Sequence, residues 1–237
     1  MNKIFVITLF LFLIESNFAA NDLNVKACPK VNFDYISLAL NWGPGLCFLN
    51  QKCQKPFDNK WTIHGTWPSN ERGRPPQNCC FLRFLDDNVI KQLYSKLNEA
   101  WPSLYGSDEK FWQHEWEKHG TCAFASKQLQ GQANYFGESL RLYKSIDING
   151  WLAKHSIVPQ PLGERSVYPL EAIRSALSES HGGRVRFSCG RVDGRISNRI
   201  PLLQEVHLCF DKVTLQAVDC VRNDDHECGK RNVHFIS

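Results

Sequence analysis

No Asn-x-Ser/Thr triplet occurs in the 237 residues, so N-linked glycosylation is not expected. Paired CxxC knuckles are missing as well. The short cysteine spacings are Cys47 to Cys53 and the adjacent Cys79 and Cys80, a pattern that argues against structural zinc. After Ile14 no apolar run is long enough to span a bilayer. Between Phe33 and Ser237 there is no long Gly/Ser or Pro linker and no internal repeat, which excludes a string of modules and leaves one domain. A strong charge of one sign is also lacking. The formal net charge of +4 is a mild bias that suits a nucleic-acid substrate only if a local patch supplies the affinity.

Residues 1–20 carry Lys3, an apolar run from Ile4 to Ile14 and then small residues ending at Ala19 and Ala20. They are expected to be a signal peptide. Residues 21–32 follow as a polar N-terminal arm, and 33–237 as a single domain. All ten cysteines lie beyond the signal peptide, which fits an oxidising compartment and up to five disulfides.

The apolar pattern predicts strands at both ends and helices between them. Phe33 to Trp42 has the density of a strand covered on both faces, and within Trp61 to Pro68 the apolar, β-branched run ending at Gly65 reads as a second, buried strand that delivers His64 to its end. Gly43 to Phe57 and Ser69 to Gln77 are expected to be loops. Helical spacing marks Phe81 to Trp101, Tyr135 to Tyr143, Gly150 to His155 and Pro169 to Ser180, the last ended by Gly182 and Gly183. Strands are expected at Val185 to Cys189, Leu202 to Phe210, Leu215 to Cys220 and Val233 to Ile236. The fold class is therefore α+β: a central antiparallel sheet flanked by several helices and stapled by disulfides.

The densest chemistry lies in Phe111 to Ala123, FWQHEWEKHGTCA. With Ser107 or Asp108 as the cap, a helix runs to His119. At about 100° per residue His114, Lys118, Phe111, Glu115 and His119 share an arc of roughly 140°, while Trp112 and Trp116 fall beyond it and suit a core. Gln113 and Glu117 face solvent. The HEWEKH run lacks the spacing of a zinc hydrolase: the second histidine comes five residues on, and Lys118 stands at the ligand position. No metal and no cofactor are called for. The remaining histidines, His155, His181, His207, His226 and His234, stand without acidic company and read as structural or surface groups. The Arg-rich stretch from Arg184 to Arg199 reads as a solvated charged face, with a contribution to nucleic-acid affinity as the alternative.

The segments WTIHGTWP and FWQHEWEKHGTCA resemble the two active-site segments of the ribonuclease T2 family, whose members are secreted or vacuolar, acid-leaning endoribonucleases with little base preference. The likeness extends more weakly through Phe33 to Trp42, Asn134 to Leu142 and the last four cysteines. It implies cleavage of single-stranded RNA, not DNA, through a 2',3'-cyclic phosphate to 3'-phosphate ends. His119 would be the general base, His64 the general acid, Lys118 and His114 the phosphate holders and Glu115 the orienting carboxylate. Trp67 and Phe111 match positions that contact bases. Ser69 stands where some members carry an aspartate, and Thr66 where leucine is usual. The implied disulfides are Cys47 with Cys53, Cys209 with Cys220, Cys189 with Cys228, and Cys122 with either Cys79 or Cys80, leaving the other for Cys28. A secreted monomer without a membrane span is expected, outside the cell or in a lysosome or vacuole. The alternative is a secreted effector or binding protein on the same fold whose role does not require cleavage.

Overall fold

Nearly every residue from Phe33 to Trp42 is buried, so the segment can only be an inner strand. It is β1, Tyr35–Trp42, and it lies between two antiparallel neighbours, β2 (Trp61–Ser69) and β5 (Leu202–Asp211). The computed structural model describes residues 29–48, 53–54, 58–80, 84–191, 200–221, 225, 227–229 and 231–237. The expected signal peptide, most of the expected arm, Cys28, His226 and residues 192–199 lie outside them.

Going along the chain, β1 runs into α1 (Gly43–Phe48), then β2. The helical middle holds α2 (Asp87–Ile90), α3 (Tyr94–Ala100), α4 (Asp108–Lys118), α5 (Gln132–Lys144) and α6 (Ile148–Ala153). A short β3 (Val167–Pro169) leads into α7 (Leu170–His181), and β4 (Arg186–Gly190), β5, β6 (Ala217–Val218) and β7 (Asn232–His234) complete the described elements. The strands join in one sheet of order β2-β1-β5-β7-β3, with β4 and β6 also pairing with β5. Its pairings are antiparallel except β5 with β7.

Alternation gives the sheet two unlike faces. Ile36, Leu38, Leu40 and Trp42 join Val206, Leu208 and Phe210 in the main core, into which Trp112 and Trp116 of α4 and Tyr135 and Phe136 of α5 also pack. On the other face Ser37 is opposite Trp67 and Cys209, Ala39 opposite Gly65 and His207, and Asn41 opposite Thr62 and Glu205. That second face carries the site.

β2 is an edge strand, and its outer backbone groups need partners. Aromatic side chains supply them. Tyr143 Oη donates to the Trp61 carbonyl (2.6 Å), Trp101 Nε1 to that of His64 (2.8 Å) and Tyr135 Oη to that of Thr66 (2.9 Å). The buried Thr66 hydroxyl lies 2.6 Å from Ser139 Oγ, so the threonine makes a polar link to α5.

Three expectations change, and β3 was not anticipated. Gly43 to Phe57 is not all loop, since Gly43–Phe48 is helical, with Pro44 accommodated in its first turn. The described part of Phe81 to Trp101 is broken into α2, a 3₁₀ turn at Lys91–Leu93 and α3, with Asp86 capping α2 at Asn88 N. Leu215 to Cys220 narrows to Ala217–Val218, because Asp211 Oδ1 turns the chain by accepting from the amides of Val213 and Thr214. β3 is too short to leave a period-2 signal. The disulfides Cys47–Cys53, Cys189–Cys228 and Cys209–Cys220 are present, and Cys122 pairs with Cys79. Cys80 is disulfide-bonded too.

Tyr135→Phe removes one hydroxyl and leaves the Thr66 carbonyl without that donor. Urea unfolding should show a loss of about 1–3 kcal/mol; an unchanged midpoint would mean the edge of β2 does not depend on this cap.

Candidate active site

α4 starts where expected: Ser107 Oγ accepts from Lys110 N (3.2 Å), and Asp108 and Glu109 occupy the positive first turn. Trp112 and Trp116 anchor one side in the core, which turns Glu115 toward the sheet. His119 is the C-cap, with its amide on the Glu115 carbonyl (3.0 Å). The Cys79–Cys122 bridge and the bond from Asn78 N to the Lys118 carbonyl (2.9 Å) tie this helix end to the loop after β2. Gln113 does not simply face solvent: its Oε1 receives the Leu85 amide (2.8 Å).

His64 reaches the site through an irregularity. The β1 to β2 register passes from Ala39↔Gly65 to Leu40↔Ile63 and skips His64, a bulge that re-aims its side chain. The imidazole, 31% exposed, points Nδ1 at Glu205 Oε1 (2.6 Å) and places Nε2 3.8 Å from Glu115 Oε1. Ala39 of the intervening strand, opposite Gly65 and His207, presents only a methyl group on this face.

Trp67 is the hub. Its Nε1 donates to Glu115 Oε2 (2.9 Å), its ring stacks on His119 (centroids 5.1 Å apart) and meets His64 edge-on (5.0 Å). A Cβ on Gly65 would collide with both the indole nitrogen and Glu115 Oε2, so glycine is required beside His64. His64, Trp67, Glu115, Lys118 and His119 line one cleft of about 240 Å³, together with Tyr35, Ser69, Pro75, Gln77 and Arg186. His114, 58% exposed, stands at the rim with Nε2 3.9 Å from Glu115 Oε1. Phe111, partly buried against the core, lies 5.8 Å from the His64 ring.

The two cleft imidazoles are pulled apart electrostatically. His119 is 5% exposed, and burial, then Lys118, His64 and His114, lower its pKa to about 3. Its Nδ1 has no hydrogen-bond partner among the described residues. His64 goes the other way: although desolvation opposes it, the bond to Glu205 and the charges of Glu205 and Glu115 raise its pKa. Glu115, 1% exposed, is raised by burial, against the pull of His64, Trp67, His114 and Lys118.

Two groups escaped the sequence reading. Glu205 and His207 lie two apart on β5 and therefore share the site face. His207 does have acidic company: its Nε2 is 3.2 Å from Glu205 Oε2, and it is buried against the ring of Trp67 (centroids 5.4 Å apart), so it is not a surface group. The Glu-Val-His spacing within a strand was the available signal. His155 also meets an acid, Glu179, at 3.6 Å, but on the surface. Arg186, from the Arg-rich stretch, lines the cleft and is not merely a solvated charge.

A model of the Ribonuclease T2 family matches residues 33–220, most of the chain and both segments that build this cleft. The chain belongs to the ribonuclease T2 family. It is a T2-type endoribonuclease. Ribonuclease 1 of Arabidopsis thaliana is 33% identical to it over 205 residues, covering 84% of each chain. Extracellular ribonuclease LE of Solanum lycopersicum is 32% identical over 229 residues, 94% of each. Among solved structures, RNase NT in complex with 5'-AMP superposes with a TM-score of 0.74 at 31% identity, covering 87% of this ribonuclease and 99% of the other. No helix among the described residues is long and apolar enough to cross a membrane.

Gly65→Ala should push Trp67 off Glu115. Overpacking here is expected to cost about 1–3 kcal/mol in urea unfolding and to reduce RNA cleavage by more than about tenfold. Gly137→Ala, where nothing lies within 4 Å of a new Cβ, serves as the control and should leave cleavage unchanged.

Proposed function

We propose that this ribonuclease cuts single-stranded RNA by metal-independent transphosphorylation, with His119 as general base and His64 as general acid. The observation that carries the reading is geometric: His64 from β2 and His119 from the end of α4 line one cleft, on the edge and the face of the Trp67 ring, with Lys118 beside them; the opposite displacement of their pKa values, His119 down and His64 up, agrees with it. RNA supplies its own nucleophile, so the enzyme must hold one neutral and one protonated group at a phosphodiester. Neutral His119 takes the proton of the ribose 2'-hydroxyl as O2' bonds to phosphorus. Protonated His64 gives its Nε2 proton to O5' as the P–O5' bond breaks. A 2',3'-cyclic phosphate results, and exchanged roles let water open it to a 3'-phosphate. DNA lacks the hydroxyl and is not a substrate.

Lys118 and His114 supply positive charge to the phosphate oxygens, and Glu115, fixed by Trp67, orients the cleft. The value near 3 for His119 belongs to a buried ring in a cleft where Lys118, His64 and His114 also disfavour another cation. A phosphodiester seated among them raises both imidazoles, bringing His119 closer to the range of an effective base. Trp67 and Phe111 offer flat surfaces to the flanking bases. The expected signal peptide and the extracellular relative from Solanum lycopersicum support secretion, and the proposed enzyme is a monomer with one catalytic domain over residues 33–237.

His64→Ala and His119→Ala should each slow RNA cleavage by about 10²- to 10⁴-fold. The sign of the pH dependence follows from the two shifts. Rate is lost as pH falls through the His119 pKa, because the base becomes protonated, and as pH rises through the raised His64 pKa, because the acid is spent. A bell-shaped profile with its alkaline limb above 6.5 in the wild type is expected; a profile that keeps rising past that limb would contradict the assignment. Cleavage should also survive a strong chelator, and its loss on chelation would point to a metal hydrolase.

A further inference from the structure

Glu205 is nearly buried, yet it meets two imidazoles, one on each carboxylate oxygen: His64 Nδ1 at 2.6 Å from Oε1 and His207 Nε2 at 3.2 Å from Oε2. The protonation of that chain can be worked out from its far end. Arg186 Nη2 lies 3.1 Å from His207 Nδ1, and a guanidinium can only donate, so Nδ1 must be the acceptor. His207 then carries its proton on Nε2, donates it to Glu205 and is neutral. Ser37 Oγ, 3.3 Å from the same Nδ1, is compatible with this state. With His207 neutral, the negative charge of Glu205 is left facing His64.

We infer that Glu205 is a positioning residue: it accepts the hydrogen bond of the His64 Nδ1–H, aims Nε2 into the cleft and stabilises the imidazolium, while His207, held by Arg186, keeps its second oxygen occupied. The inference rests on the reading of His64 as general acid and adds the element that keeps that acid loaded. The charged and titratable groups facing His64 are Glu205 and, beyond it, His207 from β5, and Glu115, Lys118 and His119 from α4 and its C-terminal end. Those facing Glu205 are His64 and His207, with Arg186 of β4 acting through His207. The depressed pKa of Glu205, held down by these two imidazoles against its burial, agrees with a permanent carboxylate. So does the lowered pKa of His207, which burial keeps neutral.

The test is Glu205→Gln, assayed on a dinucleotide and on a uridine 3'-phosphodiester with a p-nitrophenolate leaving group, which departs without a proton. On the dinucleotide kcat should fall about 10- to 100-fold, part of what general acid catalysis supplies, with KM within about threefold. The alkaline limb of the pH profile should move down by about one unit. On the activated ester the variant should come within about threefold of wild type. Equal losses on both substrates, or an unmoved alkaline limb, would overturn the inference. His64→Ala run alongside separates the two readings: if it cleaves the dinucleotide normally, the acid assignment itself fails. If it is inactive while Glu205→Gln keeps the wild-type profile, only the role of Glu205 falls. Should Glu205→Gln not fold, ¹⁵N NMR of the wild-type protein decides. Neutral His64 is expected to be protonated at Nδ1 and His207 at Nε2; the Nε2–H tautomer at His64 would refute the proposal.

Discussion

Two carboxylates at one cleft, Glu115 buried and Glu205 nearly so, constrain everything around them. Glu115 and Glu205 are withdrawn from water, and a buried carboxylate is costly unless donors surround it. The donors available are the Trp67 indole and the imidazoles of His64 and His207. Once committed to these bonds, the three rings have little freedom left. His119 then lies against the face of Trp67 and Lys118 lines the same cleft. The geometry of the site is thus a consequence of charge burial, and the sheet provides the positions: β2 brings His64, β1 a small Ala39, β5 the acid that His64 must reach.

This arrangement explains why the motif residues around the proposed catalytic groups are what they are. Gly65 leaves room for a hydrogen bond that any side chain would occupy. Trp101, which from sequence alone is an apolar position before a proline, satisfies the carbonyl at the bulge where His64 sits. Thr66, a departure from the leucine usual in the family, is compensated by Ser139 one layer away, so the backbone of the motif is held by polar as well as apolar contacts.

Much of this was legible in the chain. The helix from Asp108 to Lys118 declared itself by its cap and by two tryptophans one turn apart, and the strand carrying His64 by its apolar, β-branched run. The α+β class followed from the distribution of periods. What escaped was non-local. Glu205 and His207 are about 140 residues from His64 in sequence, and only the pairing of β1 with both neighbours brings them under it. Cys122 could not be assigned between adjacent cysteines, because spacing does not say which of two neighbouring side chains points inward. The break in Phe81 to Trp101 was hidden because a stripe four residues apart tolerates a tighter turn without changing the face it shows.

The central claim is that imidazoles from two distant segments act on a single phosphorus. The most direct measurement is a crystal structure of the protein with uridine vanadate, whose pentavalent vanadium mimics the crowded phosphorane. The account predicts vanadium oxygens within about 3.2 Å of both the His64 Nε2 and the His119 ring, on opposite sides of the metal centre of the mimic, with Lys118 beside an equatorial oxygen. Vanadate bound by only one of the two imidazoles, or seated outside the cleft, would contradict it.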